Sequence, residues 1–234
     1  FAEEYISYRV QEDGTINGYH KEELNLDNIN EGKNLFTLYD LTGKEKYAKA
    51  TSRIYQQILE MPRTKEGNFW HKMIYPNQVW LDGLYMAQPF YIEYEKRFND
   101  KKNYEDIFHQ FFEVEKNMKD KETGLYYHAY DSERKMFWAD KETGLSRNFW
   151  LRSLGWFSMA LLDTLVLADK DYPDYGHLQQ MYRDLIDSML KFQSPEGMWY
   201  QVPNFPGREK NYLETSGRFI FAYFVMKGGR VGVL

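Results

Sequence analysis

The sequence predicts an all-α protein in which helical hairpins form a closed, two-layer toroid. Two kinds of helix alternate along the chain: helices that are apolar on nearly every side, and helices with one apolar stripe. The first kind is typical of a buried inner layer, and the second of an outer layer that faces water. The glycine-containing loops between hairpins are spaced too irregularly for a solenoid of fixed period. A straight helical-repeat scaffold is the alternative to a closed ring.

Four segments have the composition of inner helices. They are residues 28–41, 77–98, 149–168 and 211–227. Asp27 is expected to cap the first of them. Pro89 lies inside the second and is expected to kink it, because proline cannot donate a backbone hydrogen bond. Gly228 and Gly229 are expected to end the fourth.

Three segments have the single stripe of outer helices. The first opens at Thr42 to Glu45, which has capping-box spacing, and closes at Pro62. The other two are 104–118 and 178–192. At the start of the chain, 1–10 reads as the tail of a helix, and the polar segment 11–26 reads as a loop.

Composition restricts the function further. The net charge of −5 gives no basic face for nucleic acid, and no run of about 18 apolar residues predicts a membrane span. The absence of cysteine excludes disulfides, thiolate catalysis and cysteine-bound metal. The five histidines are scattered without metal-ligand spacing, and no glycine-rich phosphate loop follows a strand. We therefore expect no metal and no cofactor.

The segment 75–94 (YPNQVWLDGLYMAQPFYIEY) carries the most informative residue of the chain. It is apolar on nearly all sides except for one carboxylate, Asp82. An isolated charge in such surroundings is costly unless it is paired, hydrogen-bonded or protonated. Asp82 is therefore either a structural carboxylate satisfied by a neighbouring helix end or a proton donor. Its surroundings favour the proton donor.

Other chemically useful side chains recur near the predicted starts of the inner helices. Two aromatic planes, one buried acid and one arginine suit a small anionic sugar, because tryptophan faces stack on a sugar ring and arginine binds a carboxylate. The acid would carry out the proton transfer. The residues at these points are Asp27, Trp80, Asp82, Trp150, Arg152, Trp156 and Glu214, with His71 and His128 in the aromatic loops.

Four segments of the chain resemble one enzyme family. The segment FWHKMIYPNQVWLDGLYMAQPFY is similar to the diagnostic stretch of glycoside hydrolase family 105, the unsaturated rhamnogalacturonyl hydrolases. NFWLRSLGW, GMWYQVPNFPGREKNYLETSGRFIFAY and LDNINEGK resemble further family motifs. The resemblance covers nearly all 234 residues and implies an (α/α)6 barrel, a ring of six helical hairpins. We expect residues 1–234 to form one such domain.

The resemblance also implies roles for single residues. Asp82 in WLDG matches the general acid/base, and Asp27 in LDNIN matches the second active-site acid. The residues that match substrate-binding positions are Trp80, His128, Trp150, Arg152 and Trp156, while His71 and Gln78 belong to the first motif. One departure is Leu154, where relatives usually have asparagine. This leucine is expected to alter the sugar accepted or to weaken activity.

The implied reaction removes a 4,5-unsaturated galacturonic acid from the non-reducing end of a lyase-generated rhamnogalacturonan disaccharide. Two alternatives stay open. One is an unsaturated glucuronyl hydrolase acting on glycosaminoglycan fragments, and the other is a non-catalytic sugar-binding or scaffold toroid. The sequence leaves the oligomeric state open. We expect a cytoplasmic protein, with a periplasmic or secreted one as the alternative, because the N-terminus is uninformative.

The chain is shorter than a full barrel requires. Only four inner helices are recognisable, whereas a six-hairpin ring needs six. By the resemblance, relatives extend beyond both ends. We therefore expect the barrel to lack one or more terminal hairpins within these 234 residues.

Overall fold

The computed structural model describes residues 2–234 of the chain and is dominated by α-helices. The helices are α1 (Ala2–Ser7), α2 (Lys33–Thr42), α3 (Glu45–Glu60), α4 (Leu81–Phe98), α5 (Tyr104–Met118), α6 (Leu151–Leu167), α7 (Tyr175–Leu190) and α8 (Thr215–Val231). Within residues 2–234 there are also three 3-10 turns before α2 and four short strands: β1 (Gln78–Trp80), β2 (Ala129–Asp131), β3 (Trp199–Tyr200) and β4 (Leu213–Glu214). The all-α prediction is confirmed. No helix within residues 2–234 is long and apolar enough to cross a bilayer.

The predicted alternation of inner and outer helices is present in the packing. Helix α4 packs against α6, and α6 packs against α8, which gives a continuous inner row. Each outer helix packs on the inner helix that precedes it: α3 on α2, α5 on α4, and α7 on α6. The amphipathic outer helices bury the stripe that periodicity predicts, since a helix with one apolar stripe is stable only when that stripe is covered. In α5, for example, Ile107, Phe111 and Val114 are buried.

The inner helices begin later than predicted. Helix α4 starts at Leu81 rather than residue 77, because Gln78–Trp80 form strand β1 and pair antiparallel with β2. Helix α8 starts at Thr215 rather than residue 211, because strands β3 and β4 pair in the same way. In each case the strand satisfies backbone groups that a helix would otherwise use. Hydrophobic periodicity could not distinguish these short extended segments from helix.

Two predicted helix starts are also wrong. The first inner segment runs through two 3-10 turns, Leu26–Asn28 and Asn30–Gly32, before α2 begins. Asp27 lies inside the first turn and caps nothing; Asn25 is the cap and accepts a hydrogen bond from the Asp27 N–H. The box predicted at Thr42 does not form, because Thr42 ends α2 and its hydroxyl donates to the Leu38 carbonyl.

The glycine pair near the C-terminus does not end α8. The helix continues through Gly228 and Gly229 to Val231, and Gly232, with a positive φ of 73°, caps it. A side chain at Gly228 would collide with the Tyr182 hydroxyl oxygen. Gly228 therefore permits the close approach of Tyr182 to α8, where the Tyr182 hydroxyl donates to the Phe224 carbonyl, and is not a helix terminator.

Candidate active site

The candidate site lies where the inner helices begin. Helices α4, α6 and α8 are each preceded by a residue in extended conformation: Trp80, Trp150 and Glu214. The second residue of α4 is Asp82, and the second residue of α6 is Arg152. The segments WLDGL and WLRSL are therefore placed equivalently, each as a tryptophan, a leucine and then a polar residue in the first helical turn.

Asp82 faces His128. The Asp82 Oδ2 and His128 Nε2 atoms lie 3.4 Å apart, and the two side chains are 15% and 25% exposed. Neither atom has a hydrogen-bond partner within the described chain. Two unsatisfied polar atoms that face each other in a mostly enclosed place are unusual, because buried polar groups are normally paired. A ligand or water molecule that lay beside the pair could hydrogen-bond to both atoms.

Backbone pairing sets this arrangement. Trp80 pairs with Ala129 across strands β1 and β2, and the Leu81 N–H donates to the His128 carbonyl over 3.1 Å. The pairing of β1 with β2 therefore places His128 next to the first turn of α4. His128 and Asp82 are far apart in sequence, and this pairing brings them together.

A second acid, Asp27, is connected to the same place through His71. The Leu26 N–H donates to the His71 carbonyl over 3.1 Å, and the His71 N–H donates to the Gln78 carbonyl over 2.8 Å. Asp27 Oδ1 lies 3.4 Å from His71 Nε2. Its other oxygen, Oδ2, lies 2.6 Å from Lys72 Nζ. Asp27 is thus a paired carboxylate whose side chain is 41% exposed.

His71 is held neutral near neutral pH. The ring is 3% exposed, and burial lowers the pKa of His71 to about 4, although the Asp27 and Asp82 carboxylates oppose this change. The Nδ1 atom of His71 has no partner within the described residues. It lies 2.9 Å from the position that a Cβ on Gly83 would occupy. Glycine at 83 therefore lets the ring lie close to α4.

Trp80 is packed into a group of rings. Its indole stacks on His71 with a centroid distance of 4.7 Å and on Tyr75 with 5.3 Å, both nearly parallel. Its Nε1 donates to the Oε1 of buried Gln78 over 3.2 Å. Much of the indole is therefore already engaged. Trp80 is therefore suited to holding the neighbouring rings of His71 and Tyr75 in position, and the hydrogen bond to Gln78 orients the Trp80 indole.

Arg152 and Trp150 lie on the other side of His128. The Trp150 ring meets the His128 ring edge-on at 4.9 Å, and the Arg152 guanidinium lies 4.5 Å from the Trp150 centroid. Arg152 is 42% exposed and 3.8 Å from Glu214. Burial opposes ionisation of Glu214, but hydrogen bonds from Ser216 and the Gly217 N–H, with Arg152 nearby, keep its pKa below the ordinary value.

Trp156 lies one turn further into the inner layer than Arg152. Its ring stacks on Tyr85 at 5.1 Å, and Tyr85 follows Asp82 by three residues on α4. The Lys33 ammonium lies 3.6 Å from the Tyr85 centroid and has no hydrogen-bond partner among residues 2–234. Burial lowers the pKa of Lys33 to about 8.

The structure thus brings most of the predicted residues into one connected group. Contacts run from Asp27 through His71, Trp80, His128 and Trp150 to Arg152. Asp82 joins this group through His128, and Trp156 lies deeper. Sequence reasoning missed four neighbours: Lys33, Lys72, Tyr75 and Tyr85. Lys72, Tyr75 and Tyr85 lie inside or beside the segment HKMIYPNQVWLDG. The whole segment could therefore have been considered part of the candidate site. Nothing in the sequence distinguishes Lys33 from a surface lysine.

Two cavities of several hundred Å³ adjoin this group. One, of about 420 Å³, lies beside Asp27 and is lined mainly by the first 19 residues. The other, of about 400 Å³, shares His128 and Trp150 with the candidate site. Within residues 2–234, no cluster of three or more histidine, aspartate or glutamate side chains is arranged to hold a metal ion.

Leu154, which departs from the pattern of the resembling family, belongs to the apolar core. It is fully buried on α6, and its carbonyl accepts a hydrogen bond from the Ser158 hydroxyl over 2.7 Å. Leucine at this position fills the core, whereas an asparagine would need hydrogen-bond partners for its buried amide.

Comparison with known proteins supports the resemblance stated from the sequence. The chain is 36% identical over 149 residues to Protein Atu3128 of Agrobacterium fabrum, covering 64% of this chain and 63% of that protein. It is 26% identical over 214 residues to the unsaturated rhamnogalacturonyl hydrolase YesR of Bacillus subtilis, covering 89% and 59%. A solved family 105 glycoside hydrolase from C. acetobutylicum is 48% identical with a TM-score of 0.96, covering 99% of this chain and 64% of that one.

The chain spans less than two thirds of the length of each of these relatives. The agreement with the family 105 structure confirms the predicted (α/α)6-barrel fold class. The model of the family described as Glycosyl Hydrolase Family 88 matches residues 1–234. The chain therefore belongs to Glycosyl Hydrolase Family 88.

Proposed function

We propose that this protein releases a 4,5-unsaturated galacturonic acid from the non-reducing end of lyase-generated rhamnogalacturonan disaccharides. The observation that carries the proposal is the unsatisfied Asp82–His128 pair, enclosed by Trp80 and Trp150 and flanked by Arg152. The Asp82 Oδ2 atom makes no hydrogen bond within the described residues, so it is free to exchange a proton with a ligand. Membership of Glycosyl Hydrolase Family 88 and similarity to YesR support the substrate class.

In this mechanism Asp82 is the general acid and then the general base. The substrate is a vinyl ether, and protonated Asp82 gives its proton to C4 of the double bond. Positive charge develops at C5, and the Asp82 carboxylate then takes a proton from a water molecule that attacks C5. The resulting hemiketal opens by itself, which breaks the link to the second sugar. One group serving both steps must be able to gain and lose a proton at the working pH.

The surrounding residues would bind and orient the unsaturated ring. Arg152 is half-exposed, and its distance of 3.8 Å from Glu214 is too long for a hydrogen bond. Its guanidinium therefore keeps donors for a substrate carboxylate. Trp150 offers an aromatic surface, and His128 can hydrogen-bond to the sugar beside Asp82. Asp27, held by Lys72 and neutral His71, would assist as the second acid. A single domain over residues 1–234 and a cytoplasmic location are further parts of the proposal.

The test is to follow the loss of double-bond absorbance on lyase digests of rhamnogalacturonan and, in parallel, of a glycosaminoglycan. Faster loss on the rhamnogalacturonan digest supports the proposal, and a preference for the glycosaminoglycan digest replaces it with glucuronyl hydrolase activity. Binding without loss of the double bond indicates a sugar-binding protein.

A second experiment tests which bond reacts. Ordinary glycosidases attack the anomeric carbon between two carboxylates and would cleave a saturated disaccharide. Hydration of the double bond requires an alkene, so the saturated analogue should bind without being cleaved. In heavy water the released keto acid should carry deuterium at C4. Cleavage of the saturated analogue at a comparable rate would exclude the mechanism.

A further inference from the structure

The cavity that shares His128 and Trp150 with the candidate site has the features of a sugar-binding pocket. Its volume of about 400 Å³ falls in the range of roughly 300–1,000 Å³ typical of small-molecule sites. Besides the two shared residues, its lining includes three further aromatic side chains: Phe137, Trp138 and buried Phe149. Aromatic side chains offer large apolar faces, which match the C–H faces of a sugar ring.

The loop that carries Phe137 and Trp138 is held rigidly. Buried Asp131 accepts three backbone hydrogen bonds, from the N–H groups of Glu133, Lys135 and Met136, over 2.7–3.0 Å. The loop is closed by a hydrogen bond from the Asp131 N–H to the Gly144 carbonyl. Even so, Phe137 is 85% exposed. A braced loop that presents a phenyl ring to water loses little further entropy when a ligand binds.

The cavity at His128 and Trp150 differs in charge from the cavity beside Asp27. The cavity beside Asp27 is lined by two carboxylates, those of Asp27 and Glu31, and by one cation, Arg9. The cavity at His128 and Trp150 has no acidic lining residue and contains Arg147. Arg147 is exposed and makes no ion pair within residues 2–234. Of these two cavities, the one at His128 and Trp150 is therefore electrostatically better suited to a substrate that already carries a uronate.

We propose, resting on the proposed function, that this cavity binds the second sugar of the disaccharide, the one that leaves. Continuity through His128 and Trp150 places it next to the group that would protonate the double bond. Phe137 and Trp138 stack on the ring of this sugar, and Arg147 donates hydrogen bonds to its hydroxyl groups. The loop 131–146 is then a determinant of which sugar follows the unsaturated uronate.

The test compares two substrates that share the reacting ring. One is the unsaturated galacturonyl-rhamnose disaccharide, and the other is the methyl glycoside of the same unsaturated uronic acid, which cannot fill the cavity. For Phe137→Ala and Arg147→Ala, the ratio of kcat/KM on the disaccharide to that on the methyl glycoside should fall about five- to tenfold, as expected for loss of one aromatic or polar contact. The control is Leu41→Ala, which should leave the ratio unchanged. Leu41 is 76% exposed near the far end of α2.

An unchanged ratio in both cavity variants would overturn the inference while leaving the proposed function intact. If the wild-type protein consumes neither substrate, the proposed function fails instead. Calorimetric titration with the saturated galacturonyl-rhamnose disaccharide then decides the inference separately. Weaker binding by Phe137→Ala, but not by Leu41→Ala, supports the cavity, and equal binding by all three proteins rules it out.

Discussion

The neutral state of buried His71 makes a specific prediction about stability and pH. In the unfolded chain a histidine has a pKa of about 6.5. In the folded protein, burial lowers the pKa of His71 to about 4. As the pH falls below about 6.5, the unfolded state binds a proton that the folded state refuses. Stability should therefore decrease between pH 6.5 and pH 4, and His71→Gln should remove that part of the decrease.

The size of the effect follows from the two pKa values. At pH 5 the histidine of the unfolded chain is almost fully protonated and His71 in the folded protein is mostly neutral. The difference corresponds to about 2 kcal/mol of lost stability at pH 5, and about 3 kcal/mol once both forms are protonated. Such a loss is a large fraction of the total stability of an ordinary domain, about 5–15 kcal/mol.

Urea unfolding of wild type and His71→Gln at pH 7.5 and pH 5 measures this. The wild type should lose about 2 kcal/mol more than the variant between the two pH values. Any pH-independent cost of the substitution cancels in that comparison. His20→Gln is the matched control, because the His20 side chain is 60% exposed, and it should behave as the wild type does. Equal losses in wild type and His71→Gln would refute the argument that burial keeps His71 neutral.

Four further outcomes are expected. Asp82→Asn should preserve the fold while lowering kcat about 10²- to 10⁴-fold, the range for loss of a general acid/base; a near-wild-type rate would remove Asp82 from the mechanism. Gly83→Ala should destabilise the protein by about 1–3 kcal/mol through overpacking, because the new Cβ would lie 2.9 Å from His71 Nδ1, and thermal unfolding measures this. Arg152→Ala should raise KM with little change in Tm, since the side chain is 42% exposed and Glu214 keeps other partners; the reverse pattern would indicate a structural role. Exhaustive chelation should leave turnover intact, and activity lost by chelation and restored by a divalent ion would contradict a metal-free mechanism.

The fold could be predicted to a large extent, because it depends on hydrophobic periodicity over long segments. The outer helix Tyr104–Met118 was predicted with its observed bounds, since its buried stripe repeats for four turns. The starts of inner helices were predicted too early. Strands β1 and β4 are only three and two residues long. Such short strands are stabilised by pairing with distant residues, and no local pattern reports that pairing.

The residues of the candidate site could be predicted better than the contacts between their side chains. Asp82 stood out because a lone carboxylate in an apolar segment is costly, and the structure places it beside His128. The ring group around Trp80 was not foreseen, because stacking of Trp80 on both His71 and Tyr75 depends on the turn between residues 71 and 78. Spacing along the chain does not reveal such a turn. Lys33 is a similar case, since only tertiary packing buries its ammonium group.

The main-chain pairing at the site has a consequence for how the protein can change over evolution. His128 is positioned by its own carbonyl, which accepts from Leu81, and Asp27 follows Leu26, whose N–H is bound to the His71 carbonyl. Backbone groups are the same for every residue except proline, so these bonds survive side-chain replacement. A substitution at 128 or 27 can therefore alter the chemistry offered to the ligand without displacing the other groups. A lineage could explore new sugar specificities one residue at a time while keeping its barrel unchanged.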